Sequence, residues 1–383
     1  GVRLVKTGLV FSAIKEKLPK IVERLFSFIP SGVGAEGAIP KLSKVDERRL
    51  LKDGARWAVE QGYGRPEDLD YTEEGGRLSS ADPELLSDRA LERGLRQVGT
   101  LGSGNHFLEI GRVDEIYLPQ IAESLNVFHD QVVVLIHTGS RGLGYQVCED
   151  SLKVMNQAMA KYNIHLPDRQ LACTPIKSAE GQHYLAAMAA AANYAWVNRQ
   201  VIMNRAEEAF LQVLDISPKE LGFSLIYDVC HNIAKTEDHM LDGKRRRLCV
   251  HRKGATRAFP PRHPQIPRAY QEIGQPILIP GDMGRYSYLL VGTEAAMDKT
   301  FGSTCHGAGR VMSRAQSRKQ SQRINIDQEM ARLGVVARYQ GRATMAEEMS
   351  HAYKDVADVV ETMEQAGISK RVARLRPVGV IKG

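Results

Sequence analysis

The sequence predicts an α+β protein, and three observations carry that expectation. Short β-branched runs at Val132–Ile136, Leu225–Val229 and Ile277–Ile279 are each followed at once by polar or Gly-rich sequence, as buried strands are. Longer stretches, Leu143–Lys161 and the Ala-rich Gln182–Leu214, repeat apolar residues at helical spacing. Strands and helices also mix without the even alternation that a doubly wound sheet requires.

Taken along the chain, Gly1-Val2-Arg3-Leu4-Val5 reads as an interior strand, so a fragment that lacks a preceding segment is expected. From Ser12 to Phe28, Ile14, Leu18, Ile21, Val22 and Leu25 fall on one helical face between lysines. A Gly/Pro-rich loop follows at Pro30–Gly34. Residues 45–61 and 83–98 read as helical, with an acidic, Gly-containing loop at Glu73–Arg77 between them. Tyr353–Gly367 reads as a helix and Val378–Ile381 as a closing strand. No repeat or low-complexity tract divides the chain, so residues 1–383 are expected to form one catalytic unit.

Composition narrows the function class. Of 383 residues, 43% are hydrophobic and 25% charged, which places the chain among globular proteins rather than disordered ones. The apolar stretches around Val132–Ile136 and Met188–Ala192 fall far short of the ~20 residues that a membrane span needs, so no membrane partner is expected. The net charge of +7 is compatible with a polyanionic partner. Five widely spaced cysteines without a CxxC pair, and no signal-peptide pattern, fit a reducing cytoplasm.

Four histidines share one context, each beside Gly, Asn, Ser or Thr at the end of an apolar run or in a Gly-rich turn. They are His106 in Gly102-Ser103-Gly104-Asn105-His106, His137 in Ile136-His137-Thr138-Gly139-Ser140-Arg141, His231 in Asp228-Val229-Cys230-His231-Asn232, and His306 in Cys305-His306-Gly307-Ala308-Gly309-Arg310. Imidazole is the commonest transition-metal ligand, and strand-end loops are where scaffolds hold functional groups. His137 and His231 terminate buried strands and can converge at one sheet edge. No pair has the i, i+4 spacing of a zinc helix, so a hydrogen-bonded structural histidine remains the alternative for each. The surrounding glycines allow close backbone approach to an anion, or are ordinary turns; the P-loop pattern is absent.

A basic cluster, His251-Arg252-Lys253-Gly254-Ala255-Thr256-Arg257, leads into Phe259-Pro260-Pro261-Arg262, and its guanidinium groups suit phosphate. Lys244-Arg245-Arg246-Arg247 follows Asp242-Gly243 and reads as a solvated hairpin tip rather than a binding site. Cys305, beside His306, reads as a packing residue.

The strings LGSGNHFLE, HTGSRGLG, DVCHNIAK, HRKGATRAFPP, TFGSTCHGAGR and the terminal LRPVGVIKG occur in an order similar to that of the RtcB RNA ligases. The resemblance runs over the whole chain. It implies an RtcB-like α+β fold, with central β-sheets flanked by helices around a single metal/nucleotide cleft. It implies an enzyme that uses GTP and Mn2+, two ions in the intact site, to join RNA 2′,3′-cyclic phosphate or 3′-phosphate ends to 5′-hydroxyl ends. The setting is tRNA splicing or RNA repair, often with an archease activator. His306 resembles the histidine that becomes guanylylated, and His106, His137 and His231 match three metal ligands. Asn105, Glu109, Asn232, Pro280, Gly281, Asp282, Met283, Ser287, Gly307, Ala308, Gly309, Tyr353 and Lys382 would form the nucleotide pocket. Arg93, Arg141, Lys253 and Arg314 match positions that hold RNA phosphates.

Two departures qualify the match. The family has an Asp and a Cys metal ligand shortly before the GVRL string, and this sequence starts at Gly1, so weak manganese binding and little ligation are expected of the chain as given. Asp282 stands where the family more often has a small hydroxyl residue. Two other classes fit the same residues. A metal-dependent phosphohydrolase would release phosphate without a GMP adduct. A non-catalytic RNA-binding scaffold would bind RNA in a salt-sensitive way, indifferent to GTP.

Overall fold

A computed structural model describes residues 1–32, 34–168 and 170–383. Val33, in the Gly/Pro-rich loop expected after the first helix, lies outside the described residues. The strands are β1 (Val2–Val10), β2 (Phe107–Ile116), β3 (Gln131–His137), β4 (Ser224–Val229), β5 (Asn232–Leu241), β6 (Lys244–Lys253), β7 (Ala255–Arg257), β8 (Pro276–Ile279), β9 (Ser287–Gly292), β10 (Ser303–Cys305), β11 (Val336–Tyr339) and β12 (Ser369–Lys382). One sheet carries the order β4-β1-β3-β2-β12-β9-β8, antiparallel throughout, with β11 added to β12 in parallel. Two small antiparallel pairs, β5–β6 and β7–β10, stand beside it. The α+β expectation holds.

The expected β3 run is apolar without alternation because both of its faces are covered. Val133 and Leu135 belong to one core with Val2, Leu4, Leu375 and Val380. Val132, Val134 and Ile136 belong to another, against Ile21, Val22 and Leu25 of α1 (Leu18–Phe28). The opening segment is the interior strand the sequence suggested, lying between β3 and β4.

Several helices are shorter than periodicity suggests. The Ser12–Phe28 pattern breaks into a short turn and α1, which starts with Pro19 in its first turn. The 45–61 pattern is two helices, α2 (Lys44–Asp53) and a following short one, parted at Gly54, whose φ of 58° ends the first. In the 83–98 stretch only α3 (Asp88–Gly94) is α-helical. The long patterns do better: α4 (Arg141–Lys161) and α5 (Ala179–Leu214) extend slightly beyond them. Towards the C-terminal side come α6 (Arg314–Ser321) and α7 (Val356–Gln365), the latter starting three residues after Tyr353. Val378–Ile381 is only the last part of the fourteen-residue β12.

Helix α5 is a 36-residue spine. Its Ala189–Ala191 face packs closely against α2 and α4, while Asn193, Asn198, Arg199 and Gln200 are buried polar residues aimed at neighbouring loops. No helix of the described residues is long and apolar enough to cross a membrane.

Candidate functional site

Antiparallel pairing brings strand starts and strand ends to the same edge of the main sheet, and that edge collects the histidine motifs. Across it run Val229 of β4, Val2 of β1, His137 of β3, Phe107 of β2 and Lys382 of β12, each opposite the next. His231 therefore leaves the edge just past Val229, and His106 enters it just before Phe107. His306 arrives separately, one residue after β10, whose Cys305 pairs with Ala255 of β7.

The four imidazoles form a row. Ring centroids are 5.8 Å apart for His106 and His137, 5.1 Å for His137 and His231, and 4.4 Å for His231 and His306. The Nε2 atoms of His137 and His231 meet at 3.0 Å. Burial, followed by neighbouring positive groups, holds both rings well below the usual imidazole pKa, so both are neutral. Nδ1 of His106 instead faces the Arg141 guanidinium at 2.9 Å. Among the described residues no three His, Cys, Asp or Glu side chains gather as a complete ligand group.

Two cavities flank the row. One, of about 500 Å³, is lined by His106, Arg141, Cys230, His231, Asn232, Lys253 and others. The second, of about 330 Å³, is lined by Asn105, His137, Lys253, Pro280–Met283, His306–Arg310, Arg314, Tyr353 and Lys382. Most of the expected pocket residues are thus together. Glu109 and Ser287 sit behind this lining, fully buried, with the Ser287 hydroxyl donating to Glu109 Oε1 at 3.4 Å. Arg93 lies on neither cavity wall; its guanidinium sits over Tyr145, 5.6 Å from the ring centroid. Cys305 packs in the apolar cluster with Ile279 and Val356.

The basic cluster divides on folding. Arg252 is buried in a two-pronged pair with Glu237, at 2.7 and 2.8 Å, and Arg257 is buried against Glu73 and Glu74. Neither is free for phosphate, contrary to the expectation drawn from the string; Lys253 is exposed and is the cluster's contribution to both cavities. Arg314 is held by Glu347 and Glu348 at 3.5 and 3.3 Å, so a phosphate there competes with two carboxylates. Asp282 is buried; its Oδ1 accepts from the Gly284 N–H at 3.0 Å and from the Ser350 hydroxyl. Arg285 stands 3.6 Å from Oδ2.

Sequence reasoning missed the residues that hold these loops. Asn198 of α5 accepts from the N–H groups of Gly99 and Thr100 and donates to the carbonyls of Thr100 and Gly139, tying the His106 loop to the His137 loop. Arg199 donates to the Thr138 carbonyl at 3.0 Å and pairs with Asp228, which also binds Arg3; all three side chains are fully buried. The acidic loop is buried at Glu73 and Gly76 and exposed at Glu74 and Gly75. Glu73 is buried and accepts the Cys230 N–H at 2.8 Å, one residue before His231, while the Thr256 hydroxyl donates to the Cys230 carbonyl. Burial opposes its ionisation, but Lys235 and Arg257 outweigh that and bring its pKa down to about 2. The signal available in sequence was a set of polar residues, Asn193 and Asn198–Gln200, within the apolar middle of the helix, Leu185–Met203.

Burial pushes the Glu109 carboxyl up to about 8 and the Lys382 ammonium down to about 8. For Glu109 the folded pKa lies above the unfolded one, so folding favours its protonated form. Its contribution to stability is complete below about pH 4.5 and is lost as pH rises through 8. Glu109→Gln removes that loss, so the melting temperature of the variant relative to wild type should climb steadily between pH 5 and 9. A difference independent of pH would contradict a buried, proton-sensitive carboxyl.

Comparison with known proteins places these motifs. The family model described as "tRNA-splicing ligase RtcB" matches residues 1–383. A curated tRNA-splicing ligase RtcB of Archaeoglobus fulgidus is 52% identical over 383 residues, covering all of this chain and 79% of that protein. That of Thermococcus kodakarensis is 48% identical, with 79% of its length covered. That of Pyrococcus abyssi is 51% identical over 384 residues, of which this chain spans 42% of the relative's length.

Proposed function

Because the chain belongs to the RtcB family, we propose that it is an RNA ligase that consumes GTP and joins 3′-phosphate or 2′,3′-cyclic phosphate ends to 5′-hydroxyl ends. The observation that supports this best is the position of His306 on the wall of the 330 Å³ cavity, in line with the neutral pair His137–His231.

The ring of His306 lies with Cε1 and Nδ1 towards Gly254, and burial lowers its pKa, which favours the neutral ring. A neutral imidazole nitrogen can attack the α-phosphorus of GTP, forming an N–P bond as pyrophosphate leaves. The GMP then passes to an oxygen of the RNA 3′-phosphate, freeing the imidazole, and the 5′-hydroxyl attacks that activated phosphorus, expelling GMP and losing its proton. A cyclic phosphate must first be opened by water. Glycines and alanine after His306 leave space for the nucleotide, and Lys382, Tyr353 and the Pro280–Met283 loop complete its pocket. Glu109, buried just behind it, suits the N–H edge of guanine.

The donor set partly fits a divalent cation such as manganese. His137 and His231 bring two Nε2 atoms within 3.0 Å of each other, both rings neutral, and these two nitrogens would hold the ion. His106 would be the third ligand on releasing Arg141. A cation held there supplies positive charge beside the phosphoryl oxygens. Lys253, Arg141 and Arg314 line the cavities where RNA phosphates would lie, and an archease is a proposed activating partner. We place the reaction in the cytoplasm.

The full natural protein carrying this sequence, given labelled GTP and manganese, should retain label through denaturation and join 3′-phosphate to 5′-hydroxyl RNA. Phosphate release from RNA without any adduct would favour the hydrolase instead.

A further inference from the structure

The β5–β6 hairpin stands at the edge of the site with its base in it. Asn232 and Lys253, the first cross-strand pair, line the larger cavity, and the far end turns at Asp242 and Gly243 with φ of 50° and 71°. Alternation gives the hairpin two unlike faces. Inward lie Ile233, Lys235, Glu237, His239 and Arg252, all buried. Outward, on the same strand as Lys253, lie His251, Cys249, Arg247 and Arg245. The face assignment is supported by contacts: Cys249 Sγ is 3.6 Å from His251 Nε2, and Arg245 reaches Asp238 at 2.8 Å, a residue opposite Arg247.

We propose that this outward face is a track for the phosphate backbone of single-stranded RNA leading to the joining site. Three of its four exposed positions on β6, Arg245, Arg247 and Lys253, are cations, and the row runs about 27 Å from the tip to the cavity mouth. Asp238 is the acidic residue on this face, and it pairs with Arg245. A single exposed carboxylate offsets one cation only partly, leaving net positive charge along the row. The tip's other two cations, Lys244 and Arg246, point to the opposite side of the hairpin. Each face carries two of the tip cations, but the outward row continues through exposed His251 to exposed Lys253, whereas the other row passes Leu248 and Val250 and ends at Arg252, which is buried against Glu237.

This inference rests on the ligase reading, and the test separates the two. In the full protein, Arg245→Ala/Arg247→Ala and Lys244→Ala/Arg246→Ala remove the same charge from opposite faces. Affinity for a 20-nucleotide single-stranded RNA with a 3′-phosphate is measured against salt, with GMP adduct formation measured alongside. The outward pair should weaken binding about tenfold and flatten the salt slope by about 1.4, while the other pair stays within about twofold. Adduct formation should be unchanged in both. Equal losses from the two faces, or none from the outward pair, would overturn the track; absence of adduct in the wild type would instead count against the ligase reading.

Discussion

Replacing His306 by alanine is expected to lower formation of the covalent GMP adduct by about 10³-fold or more. The other three imidazoles cannot substitute. His137 and His231 are buried and face each other across 3.0 Å, and His106 is turned to Arg141. Of the two rings on the wall of the 330 Å³ cavity, His137 is buried and His306 is partly exposed. The measurement is retention of labelled GMP after denaturation, with the variant's melt recorded to show that it folds. Wild-type labelling of His306→Ala would move the nucleophile elsewhere and end the reading. Cys305→Ala should label normally, because that thiol packs in an apolar cluster and burial raises its pKa.

Asp228→Ala should cost about 3–5 kcal/mol of folding stability, the range for breaking a fully buried ion pair. One carboxylate serves two guanidinium groups, from Arg3 at 2.7 Å and Arg199 at 2.7 Å, all without solvent contact. Removing it leaves two positive charges facing each other with nothing between them. Burial opposes the ionised carboxyl, but the two arginines hold its pKa below the ordinary value of 3.8, so its contribution is present above that value and disappears as pH falls. Denaturant titration at neutral pH measures the loss. Arg48→Ala, which breaks an exposed pair with Glu84, is the comparison and should leave the unfolding midpoint essentially where it is in the wild type. A similar small change for Asp228→Ala would show that the network is not structural. Because Arg199 also holds the Thr138 carbonyl next to His137, the proposed GMP adduct formation should fall together with stability.

Much of the sheet was legible because burial on both faces leaves a signal in composition. β3, β4 and β8 were found to within a residue, and α5 to within three at its start. What escaped was structure whose signal is shared between faces. β2 carries Glu109, Gly111 and Arg112 within an interior strand, and β12 carries Arg371, Arg374 and Arg376, so neither reads as an apolar run. Helices were overextended wherever periodicity continued past a residue that breaks the backbone, as at Gly54. For the site, the histidines were legible from their strand-end context. Their supports were not, since Asn198, Arg199 and Glu73 act at sequence distances that only the folded topology reveals. The arginines of the basic string misled for a related reason: charge counts the same in sequence whether a side chain meets water or a buried glutamate.

The place of β12 in the middle of the sheet has a consequence for biosynthesis. It pairs with β2 on one side and β9 on the other, although more than 250 residues separate it from β2. Closing a loop of that length is slow, and the wall carrying Lys382 exists only once it is closed. While the ribosome is still making the polypeptide, β2 and β9 have open flanks and no shared partner. A nascent chain would therefore expose two unpaired strand edges until β12 emerges, an interval in which such edges favour misassembly.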